Sequence, residues 1–463
     1  VRGAYNKIVN LSKEDQAKGV IAASAGNHAQ GVALAAAELG IEATIVMPTT
    51  TPEIKVSSVA ALGGIVVLHG DSFDDAYAHS QVLMAQHGYC FVHPYDDEDV
   101  IAGQGTVGME ILRQVSGPLD AVFIPVGGGG LLAGVACYIK YLRPDIKVIA
   151  VESEDSACFK AAMEAGKRVI LPEVGLFADG VAVKQIGKET FRLARDCVDE
   201  VITVTTDEIC AAIKDVFDDA RCITEPAGAL SVAGLKKYVK SHGVLDQTLL
   251  AITSGANVNF DRLRHIAERS ELGEKREAIF AVTIPEETGS FKAFCKTLGK
   301  RSITEFNYRY AGGEQAHVFV GVQTKSSVEV EILQTELGEK GYSAVNLSDN
   351  EMAKLHIRHL VGGHGPSKKA RAKDAAIEKE LELVFRFEFP ERPGALLAFL
   401  QTLGSRWNIS LFHYRNHGAA FGRVLVGMQV PEGEQNTVEE YFSDLGYRYW
   451  DESNNPAYQL FLK

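Results

Sequence analysis

The sequence predicts an α/β chain: a two-lobed, mainly parallel α/β unit, then two smaller α+β units. Three observations carry this. Apolar strands alternate with helical stretches up to residue 268, a glycine run closes one of those strands, and an internal repeat begins after residue 278.

In the first stretch, 20–23, 43–47, 65–68 and 90–92 are short apolar runs of strand length, with helical stretches 28–39, 52–62 and 72–87 between them. The alternation resumes at residue 101, with helix 104–115, strand 121–126, helix 131–141, strand 147–151, helices 207–219 and 226–240, and strand 248–253. Strand and helix alternating with short Gly or Pro punctuation imply a parallel sheet covered on both faces. Residues 1–268 are therefore expected to form one large unit, and the charged, aperiodic run Arg269–Glu277 a linker.

Beyond it, Ile279–Phe291 aligns with Val384–Leu396 at an offset of 105 residues, Pro285 falling on Pro390 and Gly289 on Gly394. Tyr308-Arg309 and Gly321-x-Gln323 match Tyr414-Arg415 and Gly427-x-Gln429 one residue further on. Each copy has the pattern β-α-β-β-α-β of a ferredoxin-like unit, placed at 278–360 and 379–463. Gly362–Lys373, between them, is expected to be a basic, solvated tether. His356, His359 and His364 have no carboxylate or cysteine at ligand spacing and predict no metal site.

Composition narrows the function. With 463 residues, 46% hydrophobic and 23% charged, the chain fits two to four globular domains. A net charge of −13 disfavours nucleic acid and anionic membrane as partners, leaving small molecules. Seven cysteines at irregular spacing, without a CxxC pair, indicate free thiols in a reducing compartment. The chain opens at Val1 in mid-motif, and no apolar run reaches the ~18 residues that span a bilayer.

Gly127-Gly128-Gly129-Gly130-Leu131, after strand 121–126 and opening a helix, is a site for phosphate: residues without Cβ bring their N–H groups close to a ligand at the positive end of a helix. Gly128, Gly130, Ala133 and, about twenty residues on, Glu152 also fit a dinucleotide fingerprint. Ser24-Ala25-Gly26-Asn27-His28 is either a helix cap or a second anion site, with the Asn27 amide free to bond a planar cofactor. In Thr253–Asn257, at another strand end, Ser254 is the natural partner of a pyridine nitrogen.

Together with Val1-Arg-Gly-Ala4 and Glu225-Pro-Ala-Gly-Ala229, these motifs resemble the pyridoxal-phosphate enzymes of the tryptophan-synthase β type, and among them the biosynthetic threonine deaminases (threonine ammonia-lyases). The repeat resembles the paired ACT-like regulatory domains of the same family. The resemblance implies fold type II, with the cofactor phosphate in the backbone cup of Gly127, Gly128, Gly129, Gly130 and Leu131. It implies the ring hydroxyl against Asn27, the ring nitrogen against Ser254, the substrate carboxylate in the loop Ser24, Ala25, Gly26, Asn27, His28, and Glu225 near the site. The Schiff-base lysine is expected immediately before Val1, and Lys7 is no substitute because it falls within the helix that follows. Serine racemases of this fold carry a serine where this chain has Ala25, so elimination is expected over racemisation.

The implied reaction is β-elimination converting L-threonine to 2-oxobutanoate and ammonia. Isoleucine is implied as inhibitor and valine as its antagonist, with Gly289, Tyr308, Gly394, Leu396 and Tyr414 as effector-site candidates. A homotetramer is also implied, in cytoplasm or plastid stroma. The alternatives are an NAD-dependent dehydrogenase, a serine dehydratase or racemase of the same fold, and a noncatalytic amino-acid sensor.

Overall fold

Valine, isoleucine and alanine side chains buried on both faces of their strands set the architecture of the first part of the chain. The structure is a computed structural model that describes residues 1–49, 51, 53–175, 177–258, 260–274, 276–309, 314–350, 353–354, 380–390, 395–403, 407–415, 421–431, 433–435, 437–438, 441–442, 447–455 and 458. It divides into two compact units, Val1–Gly273 and Glu274–Lys463.

The first unit begins with α1 (Arg2–Val9), α2 (Lys13–Lys18), β1 (Val20–Ala23), α3 (Asn27–Glu38), β2 (Ala43–Met47), α4 (Glu53–Ala61), β3 (Ile65–Leu68), α5 (Phe73–His87) and β4 (Cys90–Phe91). Its strands form a parallel sheet in the order β3-β2-β1-β4. The second lobe contains α6 (Glu98–Gln114), β5 (Ala121–Pro125), α7 (Gly130–Leu142), β6 (Lys147–Ser153), α8 (Cys158–Ala165), α9 (Lys188–Ala194), β7 (Glu200–Val204), α10 (Thr206–Ala220), α11 (Pro226–His242), β8 (Leu249–Ala251) and α12 (Phe260–Gly273). Here the parallel order is β7-β6-β5-β8. Two parallel sheets are what the alternation of strands and helices predicts.

Several boundaries differ from the sequence expectation. Helix α6 starts at Glu98, not 104, because the Asp97 carboxylate accepts the N–H groups of Asp99 (3.0 Å) and Val100 (3.1 Å) and caps it. The expected linker 269–277 is helix as far as Gly273 and strand from Glu277. Charge misleads here: Arg269 is buried and ion-paired with Asp207, while Ile266 and Leu272 supply an apolar face. Lys7 lies in α1, paired with Asp97 (2.8 Å) and Asp99 (3.1 Å).

In the second unit, β9 (Glu277–Pro285), α13 (Ser290–Leu298), β10 (Ile303–Arg309), β11 (Gln315–Gln323), α14 (Ser327–Glu339) and β12 (Ser343–Asn346) make the first repeat. The second contains β13 (Glu380–Pro390), α15 (Ala395–Leu403), β14 (Asn408–Arg415), β15 (Phe421–Pro431) and β16 (Arg448–Asp451). All eight strands join one sheet, β12-β9-β11-β10-β14-β15-β13-β16, every neighbour antiparallel. The repeats meet edge to edge, Phe306 opposite Tyr414, Asn307 opposite His413 and Tyr308 opposite Phe412, which places a local pseudo-twofold axis at the Asn307–His413 pair. The helices cover the sheet with Phe291, Phe294, Leu298, Leu396, Phe399 and Leu400, all in one aromatic-rich core.

The tether 362–373, the three histidines and Gly394 lie outside the described residues. Among the described residues, no cluster of histidine, cysteine or carboxylate side chains could hold a metal ion, no helix is long and apolar enough to cross a membrane, and all seven cysteines are free.

Candidate active site

The glycine run leaves β5 at its carboxyl end and becomes the first turn of α7, which has no side-chain cap. Among the described residues, the N–H groups of Gly127, Gly128, Gly129, Gly130 and Leu131 donate to nothing. Their carbonyls, in contrast, are anchored. The Cys158 thiol donates to the Gly127 oxygen (3.4 Å), and the Thr190 hydroxyl (2.8 Å) and the Gly187 N–H (3.2 Å) both donate to that of Gly128. Gly129 has φ +91°, a left-handed conformation that a side chain would strain, and a Cβ there would stand 2.9 Å from Ile186. Five unpaired donors in sequence at a helix N-terminus form a cradle able to receive an anionic group.

Two further segments border this cradle. Tyr95 packs against the backbone of Gly128 and Gly130 and stands edge-on to His93, ring centroids 4.8 Å apart. The turn Asp179–Val181 backs onto Gly127 on one side and Glu225 on the other. Asp179 is paired with Lys55 of α4 (2.9 Å) and Arg262 of α12 (3.5 Å), so the turn is tied to the first lobe as well.

The loop 24–28 joins β1 to α3, and the N–H groups of Ala25, Asn27 and His28 have no acceptor among the described residues. A chain of amides runs from it to the second lobe. Gln30 Nε2 donates to Asn257 Oδ1 (3.0 Å), Asn257 Nδ2 to Asn27 Oδ1 (2.6 Å), and Asn27 Nδ2 to Glu225 Oε1 (2.7 Å). The Asn257 N–H closes the set on Glu225 Oε2 (3.1 Å). An ionised carboxylate only accepts, so Glu225 fixes the direction of every amide in the chain. Burial raises the Glu225 carboxyl above its ordinary range, against the two hydrogen bonds that lower it.

His28 is held by Val92, its Nε2 lying 2.8 Å from that carbonyl oxygen, and burial pushes its imidazole down to about 4. It is neutral at pH 7, so the loop can offer an anion its backbone N–H groups but no imidazolium charge. Ser254 is exposed, its hydroxyl without a partner among the described residues and its N–H on the Gly228 oxygen (3.3 Å). Gly228 permits this approach, since a Cβ on it would overlap the Ser254 carbonyl oxygen.

Glu152, needed by the dinucleotide reading as a ribose ligand, is fully buried and caps α8, accepting the N–H groups of Phe159 and Lys160, each at 2.8 Å. It is not available to a ribose. Burial raises its carboxyl to about 7 despite both hydrogen bonds. A folded-state value above the unfolded one near 4.5 means stability that is full below pH 4.5 and lost as pH rises through about 7. Wild-type stability should fall by about 3 kcal/mol from this group between pH 4 and 8, and urea unfolding of Glu152→Gln should lack that slope.

Tyr95, Asp96, Lys55, Asp179 and Thr190 carry no clear signal in the sequence, because each acts on a residue far along the chain. A weak cue existed for Tyr95 and Asp96, which follow a strand end. In the second unit, Tyr308 is buried and its hydroxyl donates to the Glu286 carboxylate (2.6 Å), beside the Gly289 turn that opens α13. Leu396 and Tyr414 are buried in the shared core.

The two parallel sheets, each ending in a loop with unpaired N–H donors, belong to a known enzyme class: residues 1–255 match the family described as pyridoxal-phosphate-dependent enzymes. Residues 268–357 and 373–462 match the C-terminal regulatory domain of threonine dehydratase. Over all of its length the chain is 55% identical to the biosynthetic L-threonine dehydratase of Burkholderia multivorans, covering 90% of that protein. It is 56% identical to that of Escherichia coli, again over its whole length and 88% of the relative. The processed form of threonine deaminase isoform 2 from Solanum lycopersicum superposes on 58% of the chain and 78% of its own with a TM-score of 0.57 and 49% identity. The chain belongs to the biosynthetic threonine dehydratase family, pyridoxal-phosphate-dependent lyases with a C-terminal regulatory region.

Proposed function

We propose that this chain converts L-threonine to 2-oxobutanoate and ammonia, with Gly127–Leu131 holding the cofactor phosphate, Asn27 facing the ring hydroxyl and Ser254 the ring nitrogen. The observation that carries the reading is the row of five unpaired N–H donors at the start of α7, in a family whose cofactor bears a phosphate. When bound, pyridoxal phosphate supplies the electron sink for charge developing at the substrate Cα. The protein's share is positioning. The free N–H groups of Ala25, Asn27 and His28 receive the substrate carboxylate, and Asn27 keeps one amide hydrogen beyond the one given to Glu225. A neutral Ser254 hydroxyl orients the ring without protonating it.

Moving the proton at Cα takes a base, which the resemblance assigns to a Schiff-base lysine. Ala25 carries no acid on the opposite face, which favours elimination over racemisation. In this reading Glu225 is a positioning residue, since both its oxygens already accept from Asn27 and Asn257.

The repeats at 278–360 and 379–463 bind isoleucine as inhibitor and valine as its antagonist, near Gly289, Tyr308, Gly394, Leu396 and Tyr414. The enzyme works as a homo-oligomer, a tetramer, in cytoplasm or plastid stroma. The test is to supply the full-length protein and pyridoxal phosphate with L-threonine, expecting one 2-oxobutanoate and one ammonia per turnover, and a raised half-saturation with isoleucine. A protein that forms no 2-oxo acid from threonine, or that works faster on serine, would overturn the assignment.

A further inference from the structure

We infer that Asp96 is a positioning residue for the cofactor's phosphate, acting through α9 and Thr190 to aim the donors of the 127–131 cradle; this rests on the phosphate reading of that cradle. Helix α9 has seven residues, and Gly187 just before it offers no side-chain cap. So short a helix does not hold itself in water. The Asp96 carboxylate, on the segment joining the lobes, takes over the capping: it accepts the N–H groups of Lys188 (2.8 Å), Glu189 (2.8 Å) and Thr190 (3.2 Å).

Fixing α9 fixes two donors on one carbonyl. The fully buried Thr190 hydroxyl and the Gly187 N–H both meet the Gly128 oxygen, at 2.8 Å and 3.2 Å. A trans peptide is planar with its C=O and N–H opposed, so locking the Gly128 oxygen outward turns the Gly129 N–H toward the opposite side, into the cradle. Tyr95, the neighbour of Asp96, fills the space under Gly128 and Gly130. Three N–H groups at the positive end of α9 offset the Asp96 charge.

The test compares two ligands on the full-length protein stripped of cofactor: pyridoxal 5′-phosphate, and pyridoxal, which lacks the phosphate. Asp96→Asn is expected to raise the Kd for pyridoxal phosphate about tenfold with that for pyridoxal unchanged, and to shift the 31P resonance of the bound phosphate. Thr190→Val, close in shape, should do the same, and the double variant should be no worse than the stronger single one because both act on one carbonyl. Variants that bind pyridoxal phosphate like wild type, or lose both ligands equally, overturn the role of Asp96. A wild-type protein that does not distinguish the two ligands overturns the cradle itself, and Asp96 with it.

Discussion

Gly228→Ala is expected to lower kcat/KM for threonine by about 100-fold or more while leaving the protein folded. The added methyl would overlap the Ser254 carbonyl oxygen, so the 254–257 loop must retreat. Displacements on the order of 1 Å in a positioning loop cost about 100-fold in rate. Two partners move with it: Ser254, whose N–H rests on Gly228, and Asn257, which holds both Asn27 and Glu225. Steady-state kinetics with thermal unfolding of the same sample check this. A variant with near-normal kcat/KM would show that the 254–257 loop does not position the reacting groups.

Glu225→Ala should have the larger effect on stability. Its carboxylate is the terminal acceptor of donors from both lobes, and removing it leaves the Asn27 amide and the half-buried Asn257 N–H unanswered. Hydrogen bonds to a charged group are worth about 1.5–3 kcal/mol each, so a loss of about 3 kcal/mol in urea unfolding is expected. Glu225→Gln should fall between, since one amide oxygen can accept Asn27 while its NH2 opposes the Asn257 N–H. Activity should drop with it, because Asn27 and the 24–28 loop lose their orientation. Equal stability of Glu225→Ala and wild type would mean that the lobes are not tied through this carboxylate.

What could be read from the sequence, and what could not, follows the range of the interactions. Strands β1, β2, β3 and β6 announce themselves as apolar runs between turn residues, and the repeat is visible because both copies keep the same Pro, Gly and aromatic spacing. Helices α8 and α9 gave no such signal. Both are short, and their caps come from elsewhere in the chain, α8 from Glu152 and α9 from Asp96. Glu152 itself was legible only as an acid of the right spacing, which suited a ribose until burial and two N–H donors gave it another task. The same holds for the site. Glycine runs and the 24–28 loop are local and were found, whereas Tyr95 and Thr190 matter only through the glycines they touch.

The pairing of β10 with β14 bears on how the C-terminal region can be inherited or transplanted. Severed at the midpoint, each half would bare a strand whose backbone groups invite any passing chain, which is a route to aggregates. Neither copy can then be lost or borrowed without the other. An engineer grafting this module onto a foreign enzyme should move the whole of it and keep both termini of the graft away from that seam.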